Sequence, residues 1–243
     1  MNNAMSVAAA CMIGLGMTLG GWFIGHGFYQ GRAVDRYVTV KGISERDVTA
    51  DIALWPLRFV STDDNLHAAQ ERIKQSHETV QSFLKRHGID PAGAEVQKLE
   101  VTDRLADPYR SGPMQSRYII AQTVMIRSDD PESIARASQA VGELVDAGVI
   151  LSSDHGPYSG PTFLFTRLSE LKPAMIAEAT GRARRAAEQF AKDSGSGIGG
   201  IRKASQGVFV ILPRDKAPGV MEGSQLQKTV RVVSTVQYHL EDG

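Results

Sequence analysis

The sequence predicts an α+β protein: a mixed, largely antiparallel sheet with helices on one side, preceded by one N-terminal transmembrane helix. Three observations point there. No Asp, Glu, Lys or Arg precedes Arg32, so all formal charge lies behind an uncharged leader. Behind that leader, segments with a period of two outnumber segments with a period of 3.6. Hairpin-like strand pairs also mix with helical crossovers, in the order β-β-α-β-β-α-β-α-β-β, which departs from the strict alternation of a parallel sheet.

Residues 4–28 are small or apolar apart from Ser6, Thr18 and His26. A helix needs roughly 20 such residues to cross a hydrocarbon core, whereas a signal-peptide core has about 7–15. Residues 1–31 therefore read as a transmembrane anchor or uncleaved signal, and residues 32–243 as the domain it carries. Gly31-Arg32-Ala33 offers small residues to a peptidase, but no basic residue precedes the run, and this favours an uncleaved anchor. GxxxG spacings fall at Gly16/Gly20, Gly21/Gly25 and Gly27/Gly31. Such faces let two backbones approach in lipid, although glycine is also simply frequent in membrane helices. Cys11 lacks the neighbours of a lipid-attachment site and reads as a buried apolar residue.

Each later element has a local reason. Residues 37–42 alternate and stop at Gly42, and residues 44–47 read as a turn. Residues 51–60 are a second strand, which Pro56 assigns to an edge or a bulge. A helix follows, capped by Thr62, Asp63 or Asp64, with Leu66, Ala69, Ile73, Val80 and Leu84 as its stripe. His87-Gly88 ends it. Residues 95–105 and 117–127 form a strand pair around an exposed loop, 106–116. Asp129-Asp130-Pro131-Glu132 opens a helix running to about Ala147, with Ile134, Ala137, Val141, Leu144 and Val145 inward. Residues 162–168 are a strand, and Lys172-Pro173 starts an Ala-rich helix whose Ala179, Ala183, Ala186 and Ala187 permit close packing. Residues 203–212 and 228–240 are the closing strands.

Composition narrows the function. The 27 basic and 27 acidic residues cancel, leaving no electrostatic footprint for nucleic acid. The domain has no cysteine, and the six histidines are scattered, so no metal or cofactor is expected. Gly195-Ser196-Gly197-Ile198-Gly199-Gly200 satisfies GxGxxG, but it follows a helix and precedes a strand. That is the reverse of a dinucleotide loop, and a helix C-cap and turn is the better reading. Ser152-Ser153-Asp154-His155 groups a hydroxyl, a carboxylate and an imidazole, yet neighbours in sequence rarely converge as a triad, and the segment makes a good turn. His67 and Glu71 share a helix face but amount to only two ligands. Arg182 and Arg185, with Arg184, Arg202 and Lys203, are either a solvated helix face or contacts for an anionic partner or ligand. Trp55 and Phe59 are either core or an oligomer contact.

Residues 38–55 (VTVKGISERDVTADIALW), 161–201 (PTFLFTRLSELKPAMIAEATGRARRAAEQFAKDSGSGIGGI) and 229–241 (TVRVVSTVQYHLE) together resemble the SIMPL family, which includes bacterial periplasmic and outer-membrane immunogenic proteins. The resemblance implies an α+β fold, export to the envelope, assembly into rings or higher oligomers and a part in stress tolerance; it supplies no catalytic residues. Glu222-Gly223 stands where the family often has Pro-Gly-Glu. The expectation is a non-enzymatic protein of the bacterial inner membrane, its domain facing the periplasm, whose partners are copies of itself and the bilayer. Arg32, Arg36 and Lys41 after the helix pull the other way, toward a cytoplasmic domain. A binding module for a small hydrophobic or anionic molecule is the alternative, and a hydrolase centred on Asp154 and His155 comes third.

Overall fold

The computed structural model describes residues 12–26, 36–106, 116–152 and 160–242. Contacts divide the chain into two compact units, one of Met1–Ser44, Met175–Val208 and Val232–Gly243, the other of Glu45–Ala174 and Phe209–Arg231.

The second unit is built on β2 (Ile52–Asp63), whose residues alternate between half-buried and buried from Ile52 to Thr62. β2 pairs antiparallel with β4 (Tyr118–Ser128) from Ala53↔Ser128 to Asp63↔Tyr118 without a bulge. β4 in turn pairs with β3 (Ala94–Asp103). On the other edge of β2 lie two short strands, β5 (Ile150–Leu151) against Phe59 and Val60 and β6 (Thr162–Leu164) against residues 52–54. Pro56 thus corrects its expectation: β2 is neither an edge nor bulged. Its missing N–H is tolerated because Pro56 falls between the two short partners.

Ala53, Trp55, Leu57 and Phe59 share the buried face. Against it pack α2 (Leu66–Arg86), α3 (Pro131–Gln139) and α4 (Gly142–Asp146) through Ile73, Val80, Phe83, Leu84, Ile134 and Leu144. Each large side chain so buried contributes about 1.5–3 kcal/mol. Trp55 and Phe59 are core, 2% and 0% exposed, and no oligomer contact. Asn65, one residue beyond the expected caps, accepts from the His67 and Ala68 N–H groups, because β2 extends through Asp63. Gly88, at φ +74°, supplies the left-handed turn after α2. The single helix expected to Ala147 is broken at Ala140 and Val141. There the N–H groups of Ala140, Glu143 and Leu144 bond three residues back, a 3₁₀-like tightening. Val145, expected inward, is 57% exposed.

In the first unit the strand order is β1-β9-β7, made by β1 (Tyr37–Thr49), β9 (Gln227–Asp242) and β7 (Ser196–Gln206), and α5 (Leu168–Asp193) supplies its helix. Met175, Ala179, Ala183, Ala187 and Ala191 recur every fourth residue on α5 and are all buried; Ala186, also expected inward, is exposed. β8 (Val210–Pro213) pairs with residues 228–231 of β9 in the second unit. Among the described residues there are therefore two sheets, and β2 with β4, β5 and β6, β3 with β4, and β7 and β8 with β9 all pair antiparallel.

Four further boundaries differ from expectation. β1 runs unbroken through residues 44–47, so there is no turn there. Gly42 marks a close helix approach, since a Cβ on it would lie 1.8 Å from the Ala179 carbonyl oxygen. Residues 196–200 belong to β7, and the glycines of the GxGxxG match sit in a strand; only Gly195, at φ +66°, acts as a helix terminator. The strand expected over 203–212 is split into the end of β7 and β8. α5 begins at Leu168, leaving Pro173 inside the helix.

Residues 12–26 form helix α1. These fifteen residues rise about 22 Å, short of a core of about 30 Å. Among the described residues no helix is long and apolar enough to cross a membrane. The rest of the expected span lies outside the described residues, as do Cys11, Gly27, Gly31, Arg32, most of the 106–116 loop, and Ser153, Asp154 and His155.

Candidate functional site

Arg182 and Arg185 stand on α5, and the structure gives them unequal roles. Arg182 Nη1 donates to the Ile43 carbonyl at 2.9 Å, and Nη2 donates to Glu178 Oε1 at 2.5 Å. The buried Ser44 hydroxyl donates to the other Glu178 oxygen at 2.8 Å. The guanidinium thus fastens α5 to β1 beside Gly42, and its donors are turned toward the protein. Arg185 is exposed on the same helix.

Asp51 is a second clasp, one that sequence reasoning missed. Its carboxylate, 14% exposed, accepts from the Thr166 N–H (2.8 Å), the Thr166 hydroxyl (3.0 Å) and the Arg167 N–H (3.1 Å). These groups immediately precede α5, so a side chain from the β1–β2 turn fixes the entry to that helix. Burial pushes the Asp51 carboxyl up, but the hydrogen bonds from Thr166 and Arg167 outweigh it and hold the group below its ordinary value. A depressed native pKa contributes stability above the unfolded value, about 3.9, and that contribution is lost as pH falls through the folded value. Asp51→Asn is accordingly expected to lower unfolding free energy by about 2 kcal/mol at pH 7. The gap from the parent should begin to narrow only below about pH 4, as checked by urea titration at pH 3, 5 and 7. An equal gap at all three would show that the carboxylate charge plays no part.

Lys228 is fully buried, and its ammonium donates to the carbonyl and carboxylate of Glu222. This pair pins the 213–227 loop beside a cavity of about 460 Å³ lined by Pro161, Thr162, Met221 and Gly223. His77 is bridged between the Gln81 and Gln122 amides, at 3.0 Å from Nε2 and 2.9 Å from Nδ1. His87 ends α2, with its Nε2 3.4 Å from Glu143. His77 and His87 therefore serve separate local bonds. Among the described residues no group of three or more His, Cys, Asp or Glu side chains has the geometry to hold a metal ion.

Among the exposed apolar residues, two groups share one element each. On α1, Ile13, Leu15, Met17, Trp22, Phe23 and Ile24 are 61–76% exposed. The faces of Gly16, Gly20, Gly21 and Gly25 open on empty space, with nothing within 4 Å of where a Cβ would stand. On β3, Val96, Leu99 and Val101 are 53%, 58% and 53% exposed. The charge-free leader signals the first surface in the sequence. The second has no local signal, because which strand is outermost depends on the sheet order.

These features define an α+β protein whose described residues form two sheets, whose polar side chains clasp its own loops and helices, and whose exposed apolar residues include those of α1 and the outer strand β3. The chain belongs to the SIMPL family, described as protein of unknown function (DUF541), whose model matches residues 38–238. No curated protein matches the sequence.

Proposed function

We propose that this chain is a non-catalytic envelope scaffold, held at a membrane by its N-terminal segment and working through association with copies of itself. The observation that carries the reading is α1. Its large apolar side chains are at least half exposed, and its glycine faces are open. Leaving such area in water costs about 25 cal/mol per Å². Lipid covers the long side chains, and a second α1 fits the glycine faces. The uncharged run through Gly31 extends the same surface in sequence. The clasps at Arg182, Asp51 and Lys228 support a mechanical role, since each of these ionic groups is engaged in holding a helix or loop.

The test is to fractionate cells carrying the full chain, extract the membranes with mild detergent, and weigh the protein by light scattering after size exclusion. The expected result is recovery with membranes and a defined mass of two or more chains. A protein that stays in the soluble fraction as a monomer overturns the proposal.

A further inference from the structure

Resting on the self-association reading, we infer that β3 is a seam between two copies, which pair antiparallel through their outer strands about a two-fold axis at Leu99. β3 is ten residues long and stands at the end of the order β3-β4-β2-β5, so among the described strands it pairs on one edge alone. The other edge carries a row of backbone donors and acceptors open to another strand.

The side chains specify that strand. Val96, Leu99 and Val101 lie opposite Val124, Gln122 and Ile120 of β4, all three of them buried. The core face of the sheet therefore continues onto its rim and ends in three apolar residues, each more than half exposed. On the other face stand Lys98 and Glu100, which reach each other along the strand at 2.6 Å. A bulge at Gln97 leaves residues 98–103 as the regular stretch.

An isologous antiparallel pair keeps the two apolar faces on one side when the axis passes through a residue. Each of the six residues of the regular stretch can carry the axis. An axis at 98 opposes Lys98 to its own copy, and one at 100 opposes Glu100 to its own copy. One at 103 opposes Asp103 to its own copy, and axes at 101 and 102 bring Asp103 against Leu99 and Val101, a carboxylate on the apolar face. An axis at Leu99 sets Leu99 on Leu99 and places Lys98 opposite Glu100 twice, and it is the register of the six that sets opposite charges of β3 face to face. A lysine and a bulge ordinarily guard an edge against pairing. Here the lysine is answered by the glutamate of an identical strand, so the guard selects a second copy over strands lacking an acid at that position.

The experiment uses the full chain in detergent with Cys11→Ser as background. Opposed residues in an antiparallel pair have Cα atoms about 4.5–5.5 Å apart, within disulfide range. Leu99→Cys is therefore expected to give a covalent dimer under mild oxidation. Thr102→Cys lies roughly 20 Å from its own counterpart in this register and should not. Lys98→Glu should weaken association at least tenfold by light scattering on dilution, with Lys74→Glu on α2 as the charge control. If the chain associates yet Thr102→Cys cross-links as readily as Leu99→Cys, or neither does, the seam is overturned and self-association stands. A parent chain that is monomeric at every concentration overturns both.

Discussion

Gly42→Ala is expected to lower unfolding free energy by about 3 kcal/mol or more, at or beyond the usual upper end for overpacking. The added Cβ would lie 1.8 Å from the Ala179 oxygen and 2.5 Å from the Ala183 nitrogen, both backbone atoms of α5. No rotamer change relieves a clash with backbone, so helix or strand must move. Movement would disturb the bonds on either side of the contact, Arg182 to Ile43 at 2.9 Å and Ser44 to Glu178 at 2.8 Å. It would also open the seat of Ala179 and Ala183, both fully buried. Gly181→Ala on the same helix is the control. Its Cβ would meet Arg185 Nη1 at 3.7 Å, an ordinary contact. There alanine removes the cost of a mid-helix glycine and should add about 0.5–1 kcal/mol. Urea midpoints of the two variants should move in opposite directions. A Gly42→Ala protein within 0.5 kcal/mol of the parent, by the usual scatter of harmless substitutions, would show that α5 does not sit on that strand.

The contrast between these glycines shows where the sequence is readable. β2, β4, β9 and α2 carry their own periodicities, and a period of two or 3.6 is a local property of the chain. Gly42 reads locally as a strand stop. It lies inside β1 because of where α5 runs, more than 130 residues later by the Ser44–Glu178 separation of 134. The start of α5 is displaced for a similar reason. Lys172-Pro173 is a good local opening, but Asp51, 115 residues from Thr166, fixes the chain just ahead of Leu168. Pro56 is judged by its partners, and those are two short strands from distant segments.

The candidate site follows the same division. Arg182 is legible as a charge on an exposed helix face, and charge on such a face suggests a ligand. Its acceptor is a backbone carbonyl of β1, a group no side-chain pattern announces. The uncharged leader is legible because hydropathy needs no tertiary information. The rim of β3 is not, because Val96, Leu99 and Val101 have the pattern of an ordinary half-buried strand. Their exposure follows from being outermost in the sheet.

Phe83→Ala tests the core of the second unit where sequence and structure disagree about α2. The stripe read from spacing begins at Leu66 and omits Phe83. In the fold Leu66 is 43% exposed, and Phe83 is fully buried. Its ring stands 6.4 Å from Trp55 at 64°, an edge-on contact, and 4.4 Å from the His87 ring that ends the helix. One side chain thus joins the packed face of β2 to the last turn of α2. Removing a buried phenylalanine costs about 3–5 kcal/mol, since a cavity is added to the lost transfer energy. For a chain of this size that corresponds to a fall in Tm of roughly 6–20 °C. Leu66→Ala, at the half-exposed start of the helix, should cost less than about 1 kcal/mol, in proportion to the area it buries. Trp55 is 2% exposed beneath Phe83, whereas Trp22 is already 61% exposed, so the Trp55 emission should move to longer wavelength in the Phe83 variant alone. Equal losses from the two substitutions would mean that α2 presents the face the spacing suggests, and that the packing of Phe83 on Trp55 is not what holds the helix to the sheet.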